Sequence, residues 1–333
     1  MRVLVTGAGG FLGRYVVARL LEKGHRVRAV VRPVSPAPEW AGDVEIIRAD
    51  LRSDSDLVAA FADIEALVHL ASATSGGEDV QFASTVVGTE RLLEAMAETS
   101  TRRLVLVSSL VVYDWSRAKV EMDENTPLLK DLYGMGAYTI AKIWQERVAS
   151  KFANRQSWDL TIMRPGFIWG PQHAEIAGMG RHFGRFYLMF GPFTRLPLTH
   201  VVNCADCLVA ALECPTSAGE TFNVIDDDDI RVKRYVKEYA KWTGQAGFKL
   251  PVPYQFGFWL AQLAKFVSRM LFGKKGKLPS LLDPRRFEAQ FKPIRFSNRK
   301  LRNAIKWRPP LAFDDCLKHT YATANAPDYS GSA

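Results

Sequence analysis

A tyrosine and a lysine at helical spacing are the clearest pair of side chains in this chain that could do chemistry. Tyr138 and Lys142 stand four residues apart in YTIAK, inside a helical pattern that runs to about Phe152. They therefore share one face of a helix. A phenol has an ordinary pKa of about 10, and a neighbouring ammonium group lowers it. The pair predicts a proton donor and acceptor for a substrate oxygen.

Ser109 is the third candidate, because it follows the predicted strand Leu104–Val107. From the end of a strand its hydroxyl can hydrogen-bond the same substrate oxygen and orient it. Lys142 can also donate to the ribose of a nicotinamide cofactor, which would exchange hydride while Tyr138 exchanges the proton. We therefore predict Ser109, Tyr138 and Lys142 as the catalytic residues.

The chain begins with a glycine-rich turn that could hold such a cofactor. The sequence RVLVTGAGGFLG places glycines three residues apart, between an apolar strand and an amphipathic helix. Glycines at this turn let the backbone approach a diphosphate, and the helix N-terminus offers free N–H groups and partial positive charge. The predicted cofactor contacts here are Gly7, Gly10, Phe11, Leu12 and Gly13.

Two positions further along bear on the kind of dinucleotide. Arg32 follows the second predicted strand, where an acidic residue would bind ribose hydroxyls and an arginine can pair with a 2′-phosphate. This favours NADP, with NAD as the alternative. Asp50 and Leu51 end the third strand, where the carboxylate can accept a hydrogen bond from the adenine amino group.

Alternating strands and helices must position these residues. Apolar strands are predicted at Arg2–Val5, Arg26–Val31, Val44–Ile47, Ala66–Leu70, Leu104–Val107 and Leu160–Met163, with helical patterns between them. The alternation predicts an α/β fold with a Rossmann-like, doubly wound parallel sheet. We expect a dinucleotide-binding domain over 1–165, with return elements at about 200–225. Residues 166–199, with predicted loops over 167–197, and 226–333 would form a smaller C-terminal substrate-binding domain.

These and further segments resemble the extended short-chain dehydrogenase/reductase family, also called the NAD-dependent epimerase/dehydratase family. TGAGGFLG matches TGxxGxxG, SSLVVY matches SSxxVY, and YTIAK matches YxxxK. HLAS at 69–72, VGT at 87–89, RPG at 164–166 and HVVN at 200–203 match further family segments. The resemblance covers nearly the whole chain and implies that Ser109, the second serine, is the catalytic one. It also implies cofactor contacts at Leu70, Ala71, Ser72, Pro165, Gly166 and Ile168, and a homodimer through a four-helix interface.

Two departures from the family pattern bear on the substrate. Thr85 stands where the family usually has asparagine, and RPGFIWGP lacks the asparagine of sugar-nucleotide members. RPG is more similar to the 3β-hydroxysteroid-dehydrogenase-like branch. The resemblance thus implies an NAD(P)-dependent oxidoreductase acting on a hydroxyl or ketone of a hydrophobic, steroid- or isoprenoid-like substrate. A nucleotide-sugar epimerase or dehydratase is one alternative, and a non-catalytic NADP-binding or membrane-associated partner is another.

The charge of the chain is unevenly distributed. The net charge is +9, and the stretch from Arg231 to Arg308 holds 20 Lys and Arg against 3 Asp and Glu. Such a stretch indicates an anionic partner, or else a solvated basic face. A membrane surface, a phosphorylated substrate and nucleic acid are the anionic partners considered, and no specific recognition of nucleic acid is expected.

Residues 254–277 contain an amphipathic helix with a lysine-rich end. Its apolar positions are Phe256, Trp259, Leu260, Leu263, Phe266, Val267, Met270 and Leu271. It is too polar to span a bilayer. The simpler interpretation is a helix facing the core of the substrate domain, and the alternative is a helix lying in the interface of an anionic membrane.

Other patterns predict structure rather than chemistry. Cys204 and Cys207 form a CxxC inside a helical pattern from about Ala205 to Glu213, without a second ligand pair, so no metal site is expected. The acidic run Asp226–Asp229 reads as a solvated loop. The chain opens on a strand at Arg2, without a leader sequence, and has few cysteines. These features predict a cytoplasmic protein, with peripheral membrane association as the further option.

Overall fold

The elements were assigned on a computed structural model of the chain. It describes residues 1–36, 38, 40, 43–53, 56–183, 185–244, 248–272 and 282–322. The strands are β1 (Arg2–Thr6), β2 (Arg26–Val31), β3 (Val44–Arg48), β4 (Ala66–His69), β5 (Arg103–Val107), β6 (Glu121–Met122), β7 (Asp159–Pro165), β8 (Phe167–Trp169), β9 (Arg181–Phe183), β10 (Phe186–Phe190), β11 (Leu198–His200), β12 (Thr221–Val224), β13 (Phe248–Val252) and β14 (Arg295–Phe296). The helices are α1 (Phe11–Glu22), α2 (Glu78–Phe82), α3 (Gly88–Ala97), α4 (Ala137–Gln156), α5 (Val201–Glu213), α6 (Val232–Thr243), α7 (Tyr254–Phe272), α8 (Pro284–Phe291), α9 (Arg299–Ile305) and α10 (Phe313–Ala322).

Seven parallel strands form the central sheet, in the order β3-β2-β1-β4-β5-β7-β12. Successive side chains of β1 point to opposite faces, so that Val3 and Val5 pack with α1 and α5 while Leu4 packs with α3 and α4. Because helices cover both faces, the strands are continuous apolar runs. The predicted doubly wound sheet and all six predicted strands are confirmed.

Two predictions about local structure were wrong. The helix expected from about Ala205 begins at Val201, because the His200 ring stands at its N-cap and accepts a hydrogen bond from the Val202 N–H at 3.4 Å. The stretch 167–197, expected to be loops, contains β8, β9 and β10. β8 pairs with β11 and β10 pairs with β13, both distant in sequence, and the three-residue β9 pairs with β10, so local patterns did not reveal them.

The C-terminal elements build their own clusters beside the sheet. Tyr235, Val236 and Phe313 of α6 and α10 pack around Trp169. A second cluster joins Phe190, Ala261 and Phe287 from β10, α7 and α8. No helix within the described residues combines the length and the apolar character that spanning a membrane requires.

Candidate active site and dinucleotide cleft

The glycine turn is built so that only glycine fits. Gly7 has a φ of +71°, and a Cβ there would lie 2.8 Å from the backbone nitrogen of Ala71. A Cβ on Gly13 would lie 2.1 Å from the Gly7 carbonyl oxygen. Gly10 is the N-cap of α1 and supplies no side-chain hydrogen bond to the first turn. The helix N-terminus therefore remains available to a diphosphate, and the turn fits a dinucleotide.

Basic side chains gather where β2 and β3 end. Arg32 is exposed at the end of β2, and Arg52 binds both carboxylate oxygens of Asp50, with Nη2–Oδ2 at 2.7 Å. The hydrogen bond from Arg52 is the main reason that the pKa of Asp50 is lowered. The sequence prediction missed Arg52, although its position two residues after Asp50 was a signal for such a pair. Leu51 is buried against Gly88.

Ser109 and Tyr138 are brought together. Ser109 is 9% exposed at the N-cap of a short turn that follows β5, and Tyr138 lies partly exposed in the first turn of α4. Burial raises the pKa of Tyr138 to about 12, and a hydrogen bond with Ser109 acts in the opposite direction. Tyr138 is therefore protonated at neutral pH. The expected lowering of its pKa by Lys142 does not appear, and burial dominates the shift.

Lys142 lies below Tyr138 and is 1% exposed. Its Nζ is 5.9 Å from the centre of the Tyr138 ring and donates to the Val107 carbonyl at 2.8 Å. It also donates to Gln145 Oε1 at 2.9 Å. Burial lowers the pKa of Lys142 to about 7, although the carboxylate of Glu146 acts in the opposite direction.

A buried hydrogen-bond network connects Lys142 to the strands under the cofactor turn. Gln145 Nε2 donates to Thr89 Oγ1 at 2.9 Å, and Thr89 donates to the Thr85 carbonyl. His69 Nε2 lies 2.7 Å from Thr89 Oγ1, and His69 Nδ1 lies 2.6 Å from Thr6 Oγ1. Since the Thr89 proton is already used, the network assigns the hydrogen of His69 to Nε2.

Sequence reasoning missed most of this network. His69 was read as part of a family segment, and burial lowers its pKa to about 3, with a further contribution from Lys142. Gln145 was not considered, although it lies three residues after Lys142 and so belongs to the same helix face. Thr85 Oγ1 accepts from the Ala73 N–H at 3.1 Å and so secures the segment that follows β4.

Arg164 fixes the helix that carries Tyr138 and Lys142. Its guanidinium makes two hydrogen bonds to Glu146 on α4, at 2.9 and 2.7 Å, and both side chains are under 10% exposed. It also lies over the ring of Tyr113, 4.7 Å from the ring centre. Two parallel hydrogen bonds between a buried guanidinium and a buried carboxylate fix the orientation of the two side chains as well as their contact. The RPG and SSLVVY segments therefore meet at α4.

The remaining predicted contacts line the same edge of the sheet. Leu70, Ala71 and Ser72 follow β4, opposite the Gly7 turn, and are partly exposed. Pro165 is buried, whereas Gly166 and Ile168 are partly exposed, after β7. The ring of His173 stacks on Phe11 at 3.9 Å, so the segment after β8 reaches the start of α1. Leu12 packs against the core on that side of the sheet.

The other patterns have structural roles. Cys204 and Cys207 are buried in α5, as expected, and within the described residues no group of side chains has the makeup of a metal site. The acidic run lies in a loop with Asp227 and Asp229 exposed, as predicted, but its carboxylates are engaged with the protein rather than only with solvent. Asp226 accepts hydrogen bonds from the His200 N–H and from Asn203, and Asp229 pairs with Arg195 at 2.7 Å. Burial raises the pKa of Asp226 to about 7.

The preferred interpretation of the helix at 254–277 was also wrong. The apolar residues expected to face the core are exposed on α7, from Val267 at 43% to Met270 at 77%. The packing face is a different one, formed by Gly257 and Ala261. Residues 273–277, with the three lysines, lie outside the described part of the chain.

Comparison with known proteins agrees with this geometry. The profile of the NAD dependent epimerase/dehydratase family matches residues 3–224. The chain is 28% identical over 278 residues to the 4-hydroxy-2-methyl-3-oxo-4-farnesyl-3,4-dihydroquinoline-1-oxide ketoreductase of Stigmatella aurantiaca, covering 81% of this chain and 82% of the relative. It is 29% identical over 257 residues to the 2-alkyl-3-oxoalkanoate reductase of Stenotrophomonas maltophilia, covering 73% and 76%.

Solved structures share the fold. The UDP-glucuronic acid 4-epimerase from Bacillus cereus in complex with NAD superposes with a TM-score of 0.72 at 19% identity, covering 100% of both chains. The family profile spans the glycine turn, Ser109, Tyr138 and Lys142, which the fold assembles along one edge of the sheet. The chain therefore belongs to the NAD-dependent epimerase/dehydratase family, the extended short-chain dehydrogenases/reductases.

Proposed function

We propose that the protein reduces a ketone of a hydrophobic substrate to a hydroxyl, using NADPH. The observation that carries this proposal is the assembly of Ser109, Tyr138 and Lys142 in one site, in which Ser109 and Lys142 are buried and Tyr138 is partly exposed. Burial keeps Tyr138 protonated at neutral pH, so that its Oη is a proton donor, as ketone reduction requires.

The chain's residues supply every group except the hydride. The nicotinamide, when bound, supplies a hydride to the carbonyl carbon. Tyr138 gives its proton to the carbonyl oxygen, Ser109 donates a hydrogen bond to that oxygen, and the phenolate regains a proton from solvent. Lys142, held by the Val107 carbonyl and by Gln145, stands beneath Tyr138, where a positive charge favours the phenolate left by the transfer.

The choice of NADP rests on the end of β2. Arg32 is exposed there, and Arg52 stands nearby on the segment after β3. Neither Arg32 nor Pro33 offers a carboxylate to ribose hydroxyls, whereas two guanidinium groups suit a 2′-phosphate. Arg48 donates to the carbonyls of Pro33 and Ser35, which braces the turn that presents Arg32.

The substrate class rests on the relatives and on the C-terminal elements. Two curated relatives carry names of reductases whose substrates bear farnesyl or alkyl groups. We propose that 166–199 and 226–333 form the substrate-binding part, which contains the aromatic cluster of Phe190, Phe287 and Phe291. We also propose a homodimer through α4, on which Trp144 is 40% exposed; sedimentation velocity tests it.

Replacing Tyr138 with phenylalanine tests the proposed function. Tyr138→Phe removes the proton donor but keeps the ring, so NADPH oxidation with a responsive ketone should fall at least about a hundredfold. NADPH binding, followed by fluorescence titration, should be unchanged. Tyr133→Phe is the matched control, because Tyr133 is 74% exposed and should leave both measurements unaltered. Retained turnover in Tyr138→Phe would contradict the proposal.

A substrate screen distinguishes reduction from epimerisation. Exchangeable NADPH that is consumed with ketosteroids or long-chain β-keto compounds supports a reductase. NAD that survives purification, together with interconversion of nucleotide sugars without net NADPH consumption, would assign the protein to the epimerases instead. Mass spectrometry of the purified protein shows whether a nicotinamide cofactor co-purifies with it and whether that cofactor is NAD.

A further inference from the structure

Helix α7 displays a broad apolar surface to solvent. Eight large apolar side chains on this helix are between 43% and 77% exposed, namely Phe256, Trp259, Leu260, Leu263, Phe266, Val267, Met270 and Leu271. They recur at spacings of three and four residues and so form one stripe along the helix. We refer to these eight side chains as the α7 stripe.

The helix is held to the protein by a different and narrower face. A Cβ on Gly257 would lie 2.5 Å from the Phe287 ring, and Ala261 is completely buried beside it. Tyr254 stacks on Phe258 and packs against Phe287. Small residues let α7 lie close on α8. The large residues point away from the fold because the sequence places them on the opposite face.

The α7 stripe is larger than the apolar patches of ordinary monomers. An aromatic side chain has an area of about 150–250 Å², and Phe256, Trp259 and Phe266 are each about two thirds or more exposed. These three alone present roughly 300–500 Å², which reaches the largest patch of a typical soluble monomer. Such a patch marks a contact with a membrane or a partner.

Charge distinguishes between these two partners. From Tyr239 to Leu282 the sequence contains seven lysines and arginines and no aspartate or glutamate. Lys265 and Arg269 are exposed on α7 itself, and Lys249 is exposed on β13 directly before it. Lys265 and Arg269 belong to the polar face of the helix, and basic side chains on the polar face of a helix whose apolar face enters a bilayer add electrostatic attraction to anionic headgroups.

We propose that α7 docks the protein on an anionic lipid bilayer, lying parallel to the surface with its stripe among the upper acyl chains. Trp259 and the phenylalanines suit the headgroup boundary, and Lys249, Lys265 and Arg269 bind anionic headgroups. The occupant is a lipid surface because apolar area and positive charge occur together on a stretch, Tyr239 to Leu282, whose sequence contains no aspartate or glutamate.

The docked helix is connected to the active-site helix through α8. Arg285 of α8 donates to Asp131 Oδ2 at 3.2 Å and to the Tyr133 carbonyl at 3.0 Å. Arg286 donates to the Gly134 carbonyl at 3.1 Å. These residues immediately precede α4 and Tyr138. This step rests on the proposed function. With that function, the membrane contact places the site beside hydrophobic ketones dissolved in the bilayer.

Vesicle flotation tests the docking. The full chain should float with vesicles of phosphatidylcholine and phosphatidylglycerol at low salt, less at high salt, and little with phosphatidylcholine alone. Trp259→Glu combined with Phe266→Glu should lower flotation at least tenfold. Lys265→Glu and Arg269→Glu should each lower it more than about fivefold, because the loss of one basic side chain at an anionic surface accounts for about fivefold and the added carboxylate is repelled by the surface. Val120→Glu and Lys119→Glu are the matched controls, exposed outside the stripe, and should float as the parent does.

Three outcomes would overturn the docking proposal. The first is the absence of flotation with any vesicle. The second is unchanged flotation of the double stripe variant. The third is a dimer of the parent protein in sedimentation velocity that becomes a monomer in the double stripe variant but not in the control variants. The stripe would then bind a second copy of the chain. Circular dichroism and NADPH titration establish that each variant is folded.

Turnover assays separate docking from the proposed function. A ketone dissolved in anionic vesicles should be reduced at least several-fold more slowly by the double stripe variant, whereas a short, water-soluble ketone should be reduced at the parent rate. If the protein floats with vesicles but reduces no ketone, the docking proposal stands and the proposed function is contradicted. If the parent and the double stripe variant reduce the vesicle-borne ketone at equal rates, the proposal that the membrane delivers the substrate is overturned.

Discussion

Arg32 is the residue on which the proposed choice of NADPH over NADH depends most. It is exposed at the end of β2, and the neighbouring Arg52 is already engaged with Asp50. Arg32 therefore has the freer guanidinium of the two. A hydrogen bond to a charged group contributes about 1.5–3 kcal/mol. The loss of this one side chain should be measurable as a change in cofactor preference.

Replacing Arg32 with aspartate should shift the preference from NADPH towards NADH. The arginine that binds the 2′-phosphate is lost, and the new carboxylate repels the phosphate while it can accept from ribose hydroxyls. The ratio of the NADPH to the NADH dissociation constant should change at least tenfold in titrations. Arg26→Asp, at the other end of the same strand, is the control and should leave the ratio unaltered. An unchanged ratio in Arg32→Asp would show that Arg32 does not bind the 2′-phosphate.

At the scale of elements, α5 depends on a buried histidine at its N-terminus. His200 is 0% exposed, and its ring accepts from the Val202 N–H, so it must be neutral. Burial lowers its pKa to about 3, with a further contribution from His319. Between the ordinary value of about 6.5 and that lower value, the unfolded chain binds a proton that the folded chain does not. The contribution of His200 to stability therefore decreases as the pH falls below about 6.5.

His200→Asn should reduce the acid sensitivity of the fold. Asparagine is a good N-cap that does not titrate, so about 2 kcal/mol of the decrease in unfolding free energy from pH 7 to pH 5 should disappear. Asp226 acts in the opposite direction because its pKa is raised, but it is present in both proteins and cancels in the comparison. Urea unfolding at the two pH values measures the difference. The exposed His182→Asn variant should keep the full pH dependence.

At the scale of the whole molecule, α8 couples the C-terminal elements to the active site. It packs under α7 through Phe287 and holds the segment before α4 through Arg285 and Arg286. The position of Tyr138 relative to the substrate-binding part should therefore depend on these arginines. The hydrogen bonds from Arg285 and Arg286 to backbone carbonyls hold the segment before α4 in place and do not take part in the chemistry of the site.

Arg285→Ala should raise KM for a hydrophobic ketone several-fold while leaving the affinity for NADPH unchanged. The reason is that the segment 131–134 loses its anchor, whereas the glycine turn and Arg32 lie at other strands. Steady-state kinetics with a fixed saturating NADPH concentration measures the effect. Arg299→Ala breaks the exposed pair with Glu121 and serves as the control. A parallel loss of NADPH affinity in Arg285→Ala would indicate general unfolding instead.

Much of the fold and of the candidate site followed from local pattern. The glycine turn, Ser109, Tyr138 and Lys142 were predicted because the proposed chemistry requires particular residue types at short spacings. The strands of the sheet were identified because strands buried on both faces must be apolar throughout. The short strands β8 to β10 were missed, since β8 and β10 pair with strands distant in sequence and β9 is a three-residue strand that pairs with β10.

The sequence by itself determined the glycine turn and the parallel sheet and pointed to the candidate catalytic residues, because each depends on neighbours within a few positions along the chain. Only the tertiary structure decided the partners of buried polar groups, such as His69 with Thr89 and Asp226 with His200. It also decided which face of α7 packs. Amphipathic periodicity identifies an apolar face, but Gly257 and Ala261 let the helix pack through a narrow face and leave the apolar one exposed.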